Sequence, residues 1–317
     1  MRKFLWLILL FVIVSCDSKK GDIPSIGFVD AFEDNTIARA RTGFMDALRE
    51  NGFNEKDGNL NVVYRNAQGN IPVLTQIIQY FNNQKPDLIA TCPTLSTIAA
   101  VQNNKTIPVF MMVSGTPALM HVLDSAGNPP SNLYGVSESL DYIDTSFLLI
   151  PQFFRKPGVS VGMVYNQSEP QSVEAINRIK ALAAENQMRL VSLPVNSSAD
   201  VQMVTQALLS KKIDAFFANP DNTVFSSFES IVQSCNNANV PVFTSEAGLV
   251  SRGAVMAYGA DIYQWGHQAG EQAAAFLKTG STDSLKIEMV KVRKKVYNPA
   301  VAKRFNFTGF TNFEAVQ

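Results

Sequence analysis

Cysteine, histidine and tryptophan are scarce in this chain: its 317 residues include three Cys, two His and two Trp. Each shortage excludes something. Cys16, Cys92 and Cys235 stand far apart, so no spacing demands a disulfide, and Cys92 and Cys235 are expected as free, buried thiols. His121 and His267 share no ligand spacing with each other or with the cysteines, so neither a metal site nor any other cofactor is expected. Charge is sparse too, at 17% Asp, Glu, Lys and Arg, and it balances at 27 basic against 27 acidic residues. That balance suggests neither nucleic acid nor an anionic membrane surface as a partner. The chain contains no Gly-x-Ser-x-Gly elbow and no Gly-x-x-x-x-Gly-Lys loop, so no catalytic residue is assigned and no enzyme activity is expected.

One uninterrupted apolar run is present, and it is short. Met1-Arg2-Lys3 leads into Phe4 to Val14 without a charge, and Ile13-Val14-Ser15-Cys16 follows the small-residue pattern at which a bacterial lipoprotein precursor is cut. The run falls short of the roughly 20 residues a membrane-spanning helix requires, so residues 1–15 read as an export signal and Cys16 as the lipidated first residue. Acyl chains contribute about 0.8 kcal/mol per buried methylene, enough for two or more to hold a protein at a membrane. Residues 16–22 then serve as anchor and polar tether, with the remainder facing the periplasm or the cell exterior.

About 300 residues remain, room for two lobes. Short apolar runs alternate with amphipathic stretches, the pattern of an α/β protein with parallel sheets flanked by helices. The order is stated twice. Lys85-Pro86-Asp87-Leu88-Ile89 answers Lys212-Ile213-Asp214-Ala215-Phe216, and Thr106-Ile107-Pro108-Val109-Phe110 answers Asn239-Val240-Pro241-Val242-Phe243. Segments 132–136, 254–259 and 286–292 read as three strands crossing between the halves, with a helix from Ile262 to Leu277 returning to the first. The expected division is 23–134 plus 261–284 for one lobe and 135–260 plus 285–317 for the other.

Ligands of open α/β sheets bind beyond the carboxyl ends of the strands. In the first lobe that edge carries Phe32 and Glu33, then Cys92, Pro93 and Thr94, then Ser114. In the second it carries Tyr165, Ser168 and Glu169, then Asp221, Asn222 and Thr223, then Ser245 and Glu246. Hydroxyls beside a helix that starts at Pro93 favour an anion such as a carboxylate. Glu169, Asp221 and Glu246, without a Lys or Arg in their loops, welcome a cation such as a primary amine. Together they suit an amino acid zwitterion, with Phe32 and Tyr165 placed to pack against its side chain. Helix capping is the competing use: Asp221, Asn222 or Thr223 for the helix near Val224, Ser168 with Gln171 as a capping box, Asp34 or Asn35 for the first helix.

Tyr64-Arg65-Asn66-Ala67-Gln68-Gly69-Asn70, Tyr165-Asn166-Gln167-Ser168-Glu169, Ser197-Ser198-Ala199-Asp200-Val201 and Pro220-Asp221-Asn222-Thr223-Val224 resemble segments of the ABC-transporter substrate-binding proteins of the tryptophan/tyrosine type. So does Val296-Tyr297-Asn298-Pro299-Ala300-Val301-Ala302 near the end. The resemblance implies a type I periplasmic-binding fold of two lobes and three hinge strands, closing on a small ligand, with aromatic amino acids in the best-understood members. It also implies a monomer that presents its closed form to an ABC permease and ATPase; a lipoprotein of the same fold that signals to a membrane partner is the alternative. The chain departs from the family at Cys92-Pro93-Thr94-Leu95, where members carry Thr-Pro followed by small residues, and at Thr116-Pro117, where they carry Asp-Pro.

Overall fold

Strands buried on both faces read as continuous apolar runs, and the run Leu88–Cys92 is buried at every position. The computed structural model describes residues 23–316; the expected signal, Cys16 and the tether lie outside them. The first half runs β1 (Ser25–Asp30), α1 (Asn35–Glu50), β2 (Asn61–Asn66), α2 (Ile71–Gln84), β3 (Leu88–Cys92), α3 (Thr94–Asn103), β4 (Val109–Gly115) and β5 (Leu133–Glu138). The second runs α4 (Asp141–Leu149), β6 (Ser160–Asn166), α5 (Pro170–Glu185), β7 (Arg189–Val195), α6 (Ser198–Leu209), β8 (Ala215–Ala218), α7 (Asn222–Ser226), α8 (Phe228–Asn237), β9 (Val242–Thr244), α9 (Ala247–Val250) and β10 (Met256–Ala260). There follow α10 (Ile262–Thr279), β11 (Ile287–Met289), β12 (Arg293–Tyr297), α11 (Pro299–Arg304) and β13 (Glu314–Ala315).

The first sheet is parallel throughout, in the order β2-β1-β3-β4-β5-β11, and the second is parallel in the order β7-β6-β8-β9. The shared order bears out the repeat, and the matched sequence edges do the same work in both halves. Asp87 N–H donates to Ser25 O (2.9 Å) while its carboxylate accepts from Ser25 N–H (2.7 Å); Asp214 repeats both bonds with Ser160 at 2.7 and 2.8 Å. Ile89 N–H donates to Pro108 O and Phe216 N–H to Pro241 O, each at 2.9 Å. Lys85 and Lys212 both take the left-handed conformation, with φ of 53° and 56°.

The chain passes between the halves three times: after β5, between β10 and α10, and between β11 and β12. The segment expected to cross at 132–136 is a full member of the first sheet, paired with β4, and the chain leaves only after Glu138. Helix α10 returns to the first half and lies against α1. Small residues let their backbones meet: a Cβ at Gly266 would stand 1.8 Å from Ala40 O. Strand β12 pairs antiparallel with β10, and the tail packs on the second half through Phe310, stacked on Tyr297 with centroids 4.4 Å apart. Cys92 and Cys235 are free and buried, as expected. Among the described residues no helix is long and apolar enough to cross a membrane.

Candidate functional site

The carboxyl-end loops of the two sheets face each other along one seam that holds two hollows. The outer, about 610 Å³, has Phe32, Glu33 and Leu95 on the first lobe and Ser168, Glu169 and Thr223 on the second. The inner, about 40 Å³, has Thr94, Ser114 and Glu138 on one side and Gln171, Asn222 and Glu246 on the other. Neighbouring residues divide between the two hollows, Thr94 from Leu95 and Asn222 from Thr223, so they are parts of one cleft.

On the first lobe the chemistry is set by the start of α3. Pro93 occupies its N-cap position and no side chain caps it; Ser96 N–H turns back to Pro93 O (3.0 Å), which leaves the N–H groups of Thr94 and Leu95 to an external acceptor. Thr94 Oγ1 accepts from Gly115 N–H at 3.4 Å, which ties α3 to the end of β4. Ser114 lines the inner hollow, but its hydroxyl is committed: it donates to Met112 O (3.1 Å) and contacts Thr97 (2.8 Å), which contacts Thr91 (2.9 Å).

On the second lobe two of the three expected amine acceptors are already occupied. Asp221 caps α7 through Val224 N–H (2.9 Å), and its other oxygen accepts from Asn166 N–H (2.6 Å) and Ser172 Oγ (2.5 Å). Glu169 accepts from Thr223 N–H (3.1 Å) and Oγ1 (3.0 Å), Asn222 N–H (2.9 Å) and Nδ2 (2.7 Å), and Gln171 Nε2 (2.6 Å). Both carboxylates therefore fasten onto the start of α7, which is the capping use that the sequence set beside ligand binding for Asp221. Burial pushes the pKa of each upward, and for Glu169 the Asp221 carboxylate adds to the effect. The capping box of Ser168 and Gln171 does not form either: Glu169 is the N-cap of α5, and Gln171 turns to the Glu169 carboxylate instead.

Glu246 differs. Tyr142 Oη (2.6 Å) and Ser245 Oγ (3.3 Å) both donate to its Oε1, and burial pushes its carboxyl up to about 7. Glu138 is gripped by the Arg293 fork at 2.7 and 3.0 Å, yet burial still raises its pKa. Across the seam Arg252 Nη1 donates to Asp34 (2.7 Å) and Thr36 Oγ1 (2.9 Å), while its Nε and Nη2 hold Glu229 at 2.8 and 3.0 Å.

Nine of the anticipated residues line the hollows: Phe32, Glu33, Ser168, Glu169 and Thr223 outside, Thr94, Ser114, Asn222 and Glu246 inside. Five do not. Cys92 belongs to the core, Pro93 is buried at the start of α3, and Tyr165 packs on the second lobe's core. Ser245 is buried behind Glu246, and Asp221 is spent on its caps. Sequence reasoning missed Glu138, Tyr142 and Trp265, which the passages after β5 and β10 deliver, and Gln171. Applying the strand-end rule to the crossing strands as well would have found the first three. Away from the seam, Glu50, His267 and Glu271 bring potential ligand atoms within 4.8 Å of one another on the flank of α1 and α10. His267 pairs there with Glu50 (2.8 Å), and Glu271 accepts from Asn51 (3.1 Å).

A two-lobed α/β receptor with its site in the interlobe seam is the class this architecture defines. Residues 25–312 match the ABC transporter substrate binding protein family, and the chain belongs to it. This is a family of solute receptors, not of enzymes. The chain is 29% identical over 287 residues to the tyrosine-binding protein of Clostridioides difficile (strain R20291), covering 90% of this chain and 81% of that one. It resembles the ABC domain from Streptococcus pneumonia in complex with L-Trp, at TM-score 0.84, 20% identity and coverage of 93% and 99%. It also resembles the ligand-free, open structure of a substrate binding protein with adhesive properties from Clostridium difficile, at TM-score 0.67, 26% identity and coverage of 93% and 99%.

Proposed function

We propose that the protein is the lipid-anchored receptor of an ABC importer and that it closes on an α-amino acid with an aromatic side chain. The observation that carries this reading is the polarity of the seam: an uncapped helix start at Thr94 on one side, and acceptors including Glu246 on the other. A carboxylate suits the first and an ammonium the second, and no catalytic group is needed between them. Phe32, seated with its ring against Gly69 and lining the outer hollow with Leu95, offers a surface for a ligand ring.

The tyrosine-binding relative and the L-Trp complex support the amino acid class. The lobes stand together, with the Arg252–Asp34 pair spanning the seam, and the chain superposes better on the L-Trp complex than on the open structure, which is nearer in sequence. Contacts from both lobes to one ligand favour this closed arrangement, which a permease can distinguish from the open one. The sequence around Cys16 supports the anchor and an extracytoplasmic location.

Thermal denaturation of the mature chain with each of the twenty amino acids tests the ligand class. An aromatic amino acid at a hundred times its Kd stabilises by about 2.7 kcal/mol. A shift with none of the twenty overturns the reading. Labelled palmitate incorporated by the wild type and lost in Cys16→Ser tests the anchor.

A further inference from the structure

We infer that the ligand's amine is read inside the inner hollow by Gln171 and Glu246, and not by Glu169 or Asp221. This rests on the amino-acid reading above and names the groups that would make the site selective for a primary amine.

Elimination carries the first step. Glu169 has five donors on its two oxygens and no acceptor site to spare, and Asp221, with three donors, lines neither hollow. Both oxygens of Glu138 are held by the Arg293 fork. What remains is specific. Gln171 is 7% exposed and lines the inner hollow, and its Oε1 is buried without a partner. The orientation of that amide is fixed by its neighbour: Nε2 donates to Glu169 at 2.6 Å, and a flipped amide would set its oxygen against a carboxylate. Buried acceptors are seldom left unpaired in a folded protein, so one lining a ligand cleft calls for a donor from outside.

Glu246 supplies the charge. It is 3% exposed, its protein donors both go to Oε1, and among the described residues no Lys, Arg or His forms an ion pair with it. Size and connectivity agree. The inner hollow, at about 40 Å³ against about 610 Å³ for the outer, is the smaller of the two and suits the ligand's head group, while the outer has the room for a ring. Thr94 lines the same hollow, and an α-carboxylate and α-amine share one carbon, so a zwitterion can meet the start of α3 and this acceptor pair at once. The side chain is then directed to the outer hollow.

Titration calorimetry on the mature chain tests the assignment, with L-tyrosine, L-tryptophan and 3-(4-hydroxyphenyl)propionate, the tyrosine analogue that lacks the amine. The wild type binds the amino acids at least 100-fold more tightly than the analogue. Gln171→Met weakens the amino acids about tenfold and Glu246→Gln about 100-fold, while the analogue's weak binding changes less than threefold in either. Glu246→Gln keeps an acceptor for Tyr142, and unchanged far-UV circular dichroism and melting of both unliganded variants separate loss of recognition from loss of fold. Wild-type affinity for L-tyrosine and L-tryptophan in both variants overturns the inference, as does equal loss for the amino acids and the analogue. Those results leave the amino-acid reading standing; a wild type that binds no amino acid removes that reading and this inference with it.

Discussion

Helices α3 and α7 follow equivalent strands of the repeat, β3 and β8, yet their first turns are treated in opposite ways. At α7 the protein brings its own anions: Asp221 bonds Val224 N–H, and Glu169 bonds the N–H groups of Asn222 and Thr223. At α3 the cap position is Pro93 and no side chain takes its place. An anion at a helix N-terminus is worth about 0.3–1 kcal/mol, and about 2 when partly buried. One copy of the repeated architecture has spent that energy internally to shape a loop, and the other holds it for a guest. The duplicated fold thus gains a direction, and the zwitterion proposed above can bind in one orientation only.

The largest effect comes from emptying the plugged end. Asp221→Ala removes a cap and leaves buried donors on Asn166 and Ser172 without an acceptor, at a cost of about 3 kcal/mol. Melting of the unliganded protein should fall by about 5 °C in calorimetry. An unchanged melting temperature with lost binding would return Asp221 to the ligand. Next in size is the converse, plugging the open end. Leu95→Asp sets a carboxylate in the first turn of α3, beside the outer hollow, in imitation of the second lobe. Affinity for L-tyrosine should fall about 100-fold, about 2.7 kcal/mol, with thermal stability unchanged or slightly raised. If Leu95→Asp binds like the wild type, the start of α3 is not the carboxylate site.

The asymmetry also explains what could be read from sequence. The succession of strands and helices and its repeat were legible because they rest on local chemistry: Asp87 and Asp214 sit at the same offset before matching apolar runs. Thr94 was legible because a proline followed by a hydroxyl at a strand end marks an open helix start. The division of labour among the acids was not. Asp221 and Glu246 look alike in sequence, each an acid after a buried strand, and only the donors arriving from 49 to 55 residues away, Ser172 Oγ and Asn166 N–H, fasten the first and leave the second half free. Gln171 misled by its spacing, since a glutamine three residues after Ser168 fits a capping box as well as it fits a cleft. Cys92 misled by its position: the last residue of a strand can point into the core as readily as out of it.

Acidity gives a third way to sharpen the comparison. Burial holds the Glu246 carboxyl at about 7, above its value of about 4.3 in an unfolded chain. Its protonated form is the one the empty fold prefers, so its contribution to stability is full below the unfolded value and is lost as pH rises through about 7. An ammonium partner requires the ionised form. Affinity for L-tyrosine should therefore fall by up to about tenfold per unit as pH drops from 7 toward 5, a proton being released on binding. Calorimetry in buffers of different ionisation enthalpy reads that proton directly. In Glu246→Gln both the slope and the proton should disappear; a slope that survives belongs to another group.

The smallest effect should come from the pair that spans the seam away from the hollows. Arg252 and Asp34 are largely buried against each other, and Arg252 stays fastened to its own lobe by Glu229 and Phe225 O (3.0 Å). Parting the lobes breaks the Asp34 and Thr36 contacts and leaves the rest, so these bonds weight the closed arrangement without touching a ligand. Beside it, a Cβ at Gly248 would stand 2.1 Å from the Thr36 methyl, so the two surfaces already meet at van der Waals distance. Asp34 still caps α1 through Thr36 and Ile37 N–H without the arginine, so Asp34 keeps a local role in Arg252→Gln. What the variant loses is coupling between the lobes. Its affinity for L-tyrosine should drop about fivefold, about 1 kcal/mol, and its radius of gyration in small-angle scattering should rise in the absence of ligand and return to the wild-type value at saturation. If scattering and affinity both stay at wild-type values, closure is governed by the ligand contacts and the hinge alone, and the asymmetry of α3 and α7 carries the whole mechanism.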